Sequence, residues 1–354
     1  VEAGIPEDDA RNPAVVADLV GDNVGDCAGR GADLFESTAA ENIGAMILGV
    51  ALFPVFGING VFFPLVARAF GLLATILGVF VVRAKEDEAP MSALNRGYYV
   101  TMILAAVLFG VAAYVLLPGD QTAGANPDTW AYLFLAGLTG ILTSLAFVYL
   151  TQYYTEAKHR PVRDIVKASE TGPATNILSG FSVGLEATAL PIVIVAVAIL
   201  ASFKLGELAL PPGGPFPISG GFYGTAVATM GMLATAAYIL AEDTFGPITD
   251  NAAGILEMSG KSGESRRRMD KLDAAGNTTK ALTKGYAVGS AALAAFLLFQ
   301  AYLNEITILR VEAGCTLDCV PIINLGIPEI FIGAMVGVMI VFLFSALAIR
   351  AVGR

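Results

Sequence analysis

The chain has 354 residues, of which 55% are hydrophobic and only 15% are charged, and its mean hydropathy is +0.68. A typical soluble domain carries roughly 25% charged residues, so the composition excludes an ordinary soluble protein and indicates a membrane protein. The net charge of -10 gives little support to nucleic-acid binding, which relies on basic residues.

Apolar stretches of membrane-spanning length, about 20 residues each, recur along the chain. Eight are predicted, over residues 34–56, 61–82, 97–117, 130–153, 175–203, 219–241, 280–303 and 327–349. They are rich in Gly, Ala, Ser and Thr, which let transmembrane helices pack closely. The sequence therefore predicts an all-α fold, a polytopic transmembrane helical bundle of about eight spans that forms one membrane-embedded unit over residues 1–354.

An acidic segment, residues 1–36, leads into the first predicted span. Its acids form a stripe that consists of Asp18, Asp22, Asp26, Asp33 and Glu36. The first three are four residues apart, so a helix would place them on one face, about 6 Å from one another, where like charges repel. Glycines between these acids weaken the helix further. A bound cation therefore explains the stripe better than a solvated acidic face does.

A second polar segment, residues 242–284, enters the seventh span. Asp243, Asp250 and Glu257 repeat every seven residues, two helical turns apart on nearly one face. A further helical stripe follows, with Asp270, Asp273, Asn277, Lys280 and Lys284. Carboxylates are typical ligands of Mg²⁺, which also binds substrate phosphates, and lysine adds a point charge for phosphate oxygens. A phosphate substrate carried by Mg²⁺ is favoured over a bare Ca²⁺ or Mg²⁺ transporter, which needs the lysines less.

The basic loops predict the orientation of the chain. If the acidic stripe lies on one side of the membrane, alternation of the spans places every Lys and Arg except Arg68, Lys204 and Arg310 on that side. The positive-inside rule makes this side cytoplasmic, so both polar segments open to the cytosol. Cys315 and Cys319 fall on the opposite side, where they either form a disulfide or remain two thiols.

Three segments closely resemble the membrane-integral pyrophosphatases, ion pumps driven by pyrophosphate hydrolysis. The segments are IPEDDARNPAVVADLVGDNVGDCAGRGADLFES, FGPITDNAAGILEM and LDAAGNTTKALTKGYAVGSAAL. Motif order and span spacing match along essentially the whole chain. Because members of the family are longer at both ends, the chain is expected to be a central fragment.

This resemblance implies a set of functional residues. The Mg-pyrophosphate site is expected to be lined by Glu7, Asp18, Asp22, Asp26, Asp250 and Asn277, with Lys280 beside the substrate and several Mg²⁺ ions as cofactor. Asp26 and Asp22 are the expected catalytic residues, with Asp26 positioning the attacking water. Asp33 and Glu36 match the ion gate. The resemblance also implies a homodimer, and the expected location is the bacterial inner membrane.

Lys280 is typical of the potassium-independent branch of this family, in which a tethered ammonium replaces a bound K⁺. Members of that branch resemble proton pumps, so H⁺ is the expected cargo. Glutamate at the position of Glu36 occurs in both sodium-pumping and proton-pumping branches, which leaves a sodium-pumping pyrophosphatase as one alternative. A non-hydrolytic divalent-cation transporter is the other.

Overall fold

In the computed structural model, residues 8–85, 88–212, 218–315 and 323–352 are described. Regular structure within these ranges is helical and includes no strand, so the all-α prediction is confirmed. The α-helices are α1 Pro13–Asp22, α2 Arg30–Ala51, α3 Phe53–Phe56, α4 Ile58–Val81, α5 Pro90–Leu116, α6 Thr129–Thr155, α7 Arg160–Ser169, α8 Pro173–Glu186, α9 Ala189–Ala209, α10 Gly220–Met232, α11 Ala236–Met258, α12 Glu264–Glu312 and α13 Pro328–Val352. A π-helix, Asn23–Gly29, joins α1 to α2, and two 3₁₀ segments cover Gln121–Ala123 and Leu233–Thr235.

Seven helical segments among the described residues are long and apolar enough to cross a membrane. They are Ile58–Val81, Pro90–Leu116, Thr129–Ser169, Pro173–Ala209, Gly220–Met258, Glu264–Glu312 and Pro328–Ala351. These segments confirm the predicted polytopic bundle and correspond to all the predicted spans after the first. The first predicted span, residues 34–56, corresponds to most of α2 and to α3, and the two acids within this span, Glu36 and Glu41, lower its hydropathy.

The chain divides into two compact units, residues 1–301 and residues 302–354. The first unit holds α1 to α11 and most of α12. The second unit holds the end of α12 and all of α13. Every side chain that forms the candidate site described below belongs to the first unit.

Helix α10 is buried along its whole length and lies at the centre of the first unit. Its contact with α6 is backbone to backbone. A Cβ atom at Gly140 would lie 1.8 Å from the carbonyl oxygen of Ala228, and one at Gly231 would lie 2.0 Å from that of Gly137. Only glycine fits at these positions, and such small-residue contacts are how transmembrane helices pack closely.

The 3₁₀ segment Leu233–Thr235 interrupts the helical path from α10 to α11. Such a break within a spanning helix leaves backbone carbonyls that need other donors. The Tyr286 hydroxyl donates to the carbonyl of Met232 at 2.5 Å, and Arg68 Nη1 donates to that of Leu233. Side chains from α12 and α4 therefore hold the interruption in place.

Candidate functional site

The acidic stripe begins on a capped helix. The Asn12 side chain accepts a hydrogen bond from the backbone N–H of Ala14 at 3.1 Å, and Pro13 occupies the first helical position, both of which favour a helix start. Helix α1 then passes into the π-helix. Such π-helical turns are rare and often mark functional sites. The stripe was predicted as one regular helix, whereas the structure places Asp26 in the wider π turn.

Lys280 of α12 lies among three carboxylates that come from α1, the π-helix and α11. Its Nζ atom is 2.6 Å from Asp22 Oδ2 and 2.6 Å from Asp250 Oδ2. The same atom is 3.4 Å from Asp26 Oδ2. We call these four residues the Lys280 cluster. It joins the two polar segments, which spacing alone left apart and which the family resemblance assigned to one site.

Arg30, at the start of α2, contacts the π-helix, α11 and α12. Its Nη2 lies 2.7 Å from Asp26 Oδ1, and its Nη1 donates to the backbone carbonyl of Lys280 at 2.6 Å. Nη1 also donates to Asp243 Oδ1 of α11. Arg30 was not predicted as a site residue, although its spacing of four residues from Asp26 is that of a helical ion pair.

The site opens to solvent at one end. The exposed fraction of the side chain rises from 0% at Asp243 to 12% at Asp26 and 32% at Asp22. Burial acts to raise the pKa of Asp22, but its hydrogen bonds with Lys280 and Asp250 and the nearby cationic charges outweigh burial. The pKa of Asp22 therefore lies below its usual value, and the open end of the site carries a carboxylate at neutral pH.

Two glycines let α11 and α12 approach closely enough for Lys280 to reach the acids. A Cβ atom at Gly246 would lie 2.6 Å from Lys280 Cγ and 3.0 Å from its Cε. A Cβ atom at Gly276 would lie 2.1 Å from Thr249 Oγ1. Because glycine has no side chain, Gly246 leaves space for the aliphatic part of Lys280 and Gly276 leaves space for the Thr249 hydroxyl.

Among the described residues, the other predicted site residues form no ion pair with the Lys280 cluster. Those that are exposed are Asp18, Asp33, Glu36 and Asn277. The side-chain amide of Asn277 donates to Asp273 Oδ2 at 3.3 Å. Glu7 lies outside the described residues, as does Cys319. The roles assigned to these residues stay predictions.

The donor chemistry of the site fits Mg²⁺. Among the described residues, the carboxyl groups outnumber the cations, because the four carboxyl groups of Asp22, Asp26, Asp243 and Asp250 pair with the two cations of Lys280 and Arg30. Within the described ranges, no group of three or more His, Cys, Asp or Glu side chains forms a ready-made metal shell. Mg²⁺ usually binds through one or two carboxylates, with waters and substrate phosphates as its other ligands. The excess of acids therefore suits Mg²⁺ that arrives with a phosphate substrate.

The chain also matches a known family. The family model described as inorganic H⁺ pyrophosphatase matches residues 1–354. The chain belongs to this family. The match supports the resemblance that the three motifs carry, and the membrane-spanning helices agree with an integral, multi-pass member.

Curated relatives of this chain match it over all of its residues. It is 61% identical to the "K(+)-insensitive pyrophosphate-energized proton pump 2" of Moorella thermoacetica, of which it covers 49%. It is 60% identical to the "K(+)-insensitive pyrophosphate-energized proton pump" of Caldanaerobacter subterraneus, again covering 49%. A "Putative K(+)-stimulated pyrophosphate-energized sodium pump" of Clostridium tetani is 40% identical and is covered to 48%. The chain thus spans about half the length of these relatives.

The pairing of Arg30 with Asp243 predicts a large effect on stability. Arg30→Met leaves the Asp243 carboxylate buried without its cation, and we expect a loss of about 3–5 kcal/mol in the free energy of unfolding. The measurement is denaturant unfolding of the full-length protein in detergent. The double variant Arg30→Met/Asp243→Asn also removes the buried charge and should recover part of the loss. Equal losses in the single and double variants would contradict the pairing.

Proposed function

We propose that the full-length protein containing this chain hydrolyses Mg-bound pyrophosphate and couples the reaction to H⁺ transport across the membrane. The observation that carries this proposal is the Lys280 cluster, in which a fixed ammonium lies among three carboxylates at a site open to solvent. Family membership and the names of the relatives at about 60% identity support the same reaction.

Asp26 is the proposed general base. Arg30 holds one of its oxygens, Oδ1, at 2.7 Å, while the other oxygen, Oδ2, lies at the looser distance of 3.4 Å from Lys280. Oδ2 is therefore the oxygen that accepts a proton from the attacking water. Asp22 lies on the solvent side of Asp26 and shares Lys280 with it. Direct attack of water on pyrophosphate requires no phosphoenzyme.

Lys280 and the carboxylates have complementary roles in this proposal. The Lys280 ammonium supplies a point charge for phosphate oxygens and takes the place of a bound K⁺. Asp22, Asp26 and Asp250 would hold Mg²⁺, with Asp18 and Asn277 as further proposed ligands. When bound, Mg²⁺ would neutralise charge on the leaving phosphate. Glu7, Asp18 and Asn277 are also proposed to contact the substrate.

The proposed path of the proton begins beside the hydrolytic site. Helix α2 starts at Arg30 and carries Asp33 and Glu36 within its first two turns, so the proposed gate follows directly after the cluster. A glutamate can exchange a proton without the shell of fixed oxygen ligands that sodium would need, and ionisable residues within the membrane mark such proton paths. We propose that the site faces the cytoplasm of a bacterial cell and that the protein is a homodimer.

Magnesium removal tests the hydrolytic part of the proposal. Phosphate release from pyrophosphate by the purified full-length protein should stop when a chelator removes Mg²⁺ and should return when Mg²⁺ is added back, because the carboxylates alone repel the polyanion. Phosphate release is measured directly, with and without the chelator. Divalent-cation transport without any phosphate release would instead favour the non-hydrolytic transporter.

A further inference from the structure

Glu41 of α2 is a buried carboxyl group outside the Lys280 cluster. Its exposed fraction is 0%, and neither carboxyl oxygen has a hydrogen-bond partner among the described residues. It lies five residues beyond Glu36, which places it about 7.5 Å farther along the helix. Nearly all buried polar groups in proteins are hydrogen-bonded, so an exception of this kind calls for an explanation.

Arg68 of α4 is a second buried polar side chain near Glu41. Its Nη1 donates to the Leu233 carbonyl, but Nε and Nη2 are buried and have no partner in the described part of the chain. Arg68 is close enough for its charge to act on Glu41, although no direct ion pair joins the two side chains within the described ranges. The Arg68 donors and the Glu41 carboxyl oxygens are thus buried near one another, with no hydrogen bond or ion pair between them among the described residues.

In the part of the chain that the structure describes, the charges of two further groups act on Glu41, those of Glu36 on the same helix and Tyr286 on α12. The Tyr286 hydroxyl already donates to the Met232 carbonyl. Glu41 therefore has one acid on its own helix, one cation from α4 and a hydroxyl that is already engaged.

We propose that Glu41 is a second proton-carrying group, farther along α2 than Glu36, and that Arg68 stabilises its charged form. The proposal rests on the proposed function. A proton leaves the Glu36 carboxyl group through water, breaking its O–H bond, and an O–H bond forms on the Glu41 carboxylate. The O–H bond on Glu41 then breaks, the proton passes to a second water molecule, and the Glu41 carboxylate near Arg68 is restored.

The separation between Arg68 and Glu41 is what permits both states. A direct ion pair would hold Glu41 permanently as a carboxylate, whereas complete isolation would hold it permanently neutral. A purely structural role explains Arg68, which satisfies the freed carbonyl of Leu233. A structural role does not explain why Glu41 is buried without a hydrogen bond to any described residue.

The test uses the full-length protein reconstituted in sealed vesicles, with pyrophosphate hydrolysis and acidification measured on the same sample. Glu41→Gln keeps the size of the side chain but cannot carry a proton, and we expect acidification per pyrophosphate hydrolysed to fall about tenfold or more. Glu41→Asp retains a carboxyl group and should recover acidification. Glu186→Gln is the matched control, because Glu186 is an exposed acid on another membrane helix, and it should pump normally.

The contrast between the two substitutions decides the inference. Acidification per pyrophosphate hydrolysed that is kept by Glu41→Asp and lost by Glu41→Gln supports it. Loss of hydrolysis itself in Glu41→Gln overturns it, because the substitution then acts on the reaction and not on proton transfer alone. Equal behaviour of the two variants, whether both pump or neither pumps, overturns it. The unsubstituted protein tests the proposed function separately, because failure of that protein to hydrolyse pyrophosphate or to acidify the vesicles would contradict the function and not the role of Glu41.

Discussion

Asp26→Asn in the full-length protein should lower pyrophosphate hydrolysis by about 10²- to 10⁴-fold, which is the usual contribution of a general base. The amide keeps the size of the side chain but cannot accept the proton of the attacking water. Mg-dependent binding of pyrophosphate should remain, because Asp22, Asp250 and Lys280 are unchanged. Turnover and substrate binding are therefore measured separately on the same preparation.

The matched control for Asp26→Asn is Asp164→Asn. Asp164 is an exposed acid that pairs with Arg160 four residues earlier on α7, and such surface pairs contribute little to stability. The control should hydrolyse pyrophosphate at the normal rate. Near-normal hydrolysis by Asp26→Asn itself would show that Asp26 is not the base.

Lys280→Ala should lower hydrolysis in K⁺-free buffer, and added K⁺ should restore part of the activity. The substitution leaves Asp22 and Asp250 without the ammonium that now lies 2.6 Å from each. The three carboxylates that remain form a vacated cation site, in which a monovalent ion can take the place of the tethered charge. The measurement is the rate of phosphate release as a function of K⁺ concentration.

Lys204→Ala provides the control for this experiment, since Lys204 is an exposed lysine that pairs with Glu207 on α9. Its rate should be normal and insensitive to K⁺. A Lys280→Ala variant with an unchanged rate that does not respond to K⁺ would contradict the idea of a tethered cation.

The sequence predicted the helical architecture well because the signal for a transmembrane helix is local. A run of about 20 apolar residues has to form a helix in a bilayer, whatever its neighbours are. The weakest case was the first predicted span, residues 34–56. There α2 ends at Ala51 and a separate short helix, α3, follows, a division that hydropathy alone does not show.

The candidate site was predicted only in part. Spacing placed Asp22 and Asp26 on one face and Asp250 and Lys280 in separate stripes, and only the resemblance to a family assigned all four to one site. The bond between Arg30 and Asp243 joins residues 213 positions apart, and such pairs depend on how helices pack. The π-helix changes the register between Asp22 and Asp26 as well, which a regular helical spacing cannot anticipate.

The buried environment of Glu41 could not be predicted from the sequence either. Glu36, Glu41 and Glu186 all lie within predicted spans, and the sequence analysis has no means of ranking their burial. The structure leaves Glu36 and Glu186 exposed and covers Glu41 completely. The difference depends on the packing of α2 against its neighbours, which brings Arg68 of α4 near Glu41.

The most direct test of the central claim is pyrophosphate-driven ion movement in vesicles that contain the full-length protein. In sodium-free buffer with Mg²⁺, pyrophosphate should acidify the vesicle interior as phosphate is released, and Glu36→Gln should suppress the acidification because the proposed gate can no longer carry a proton. Uptake of radioactive sodium that depends on pyrophosphate, with no acidification, would contradict the account and identify a sodium pump.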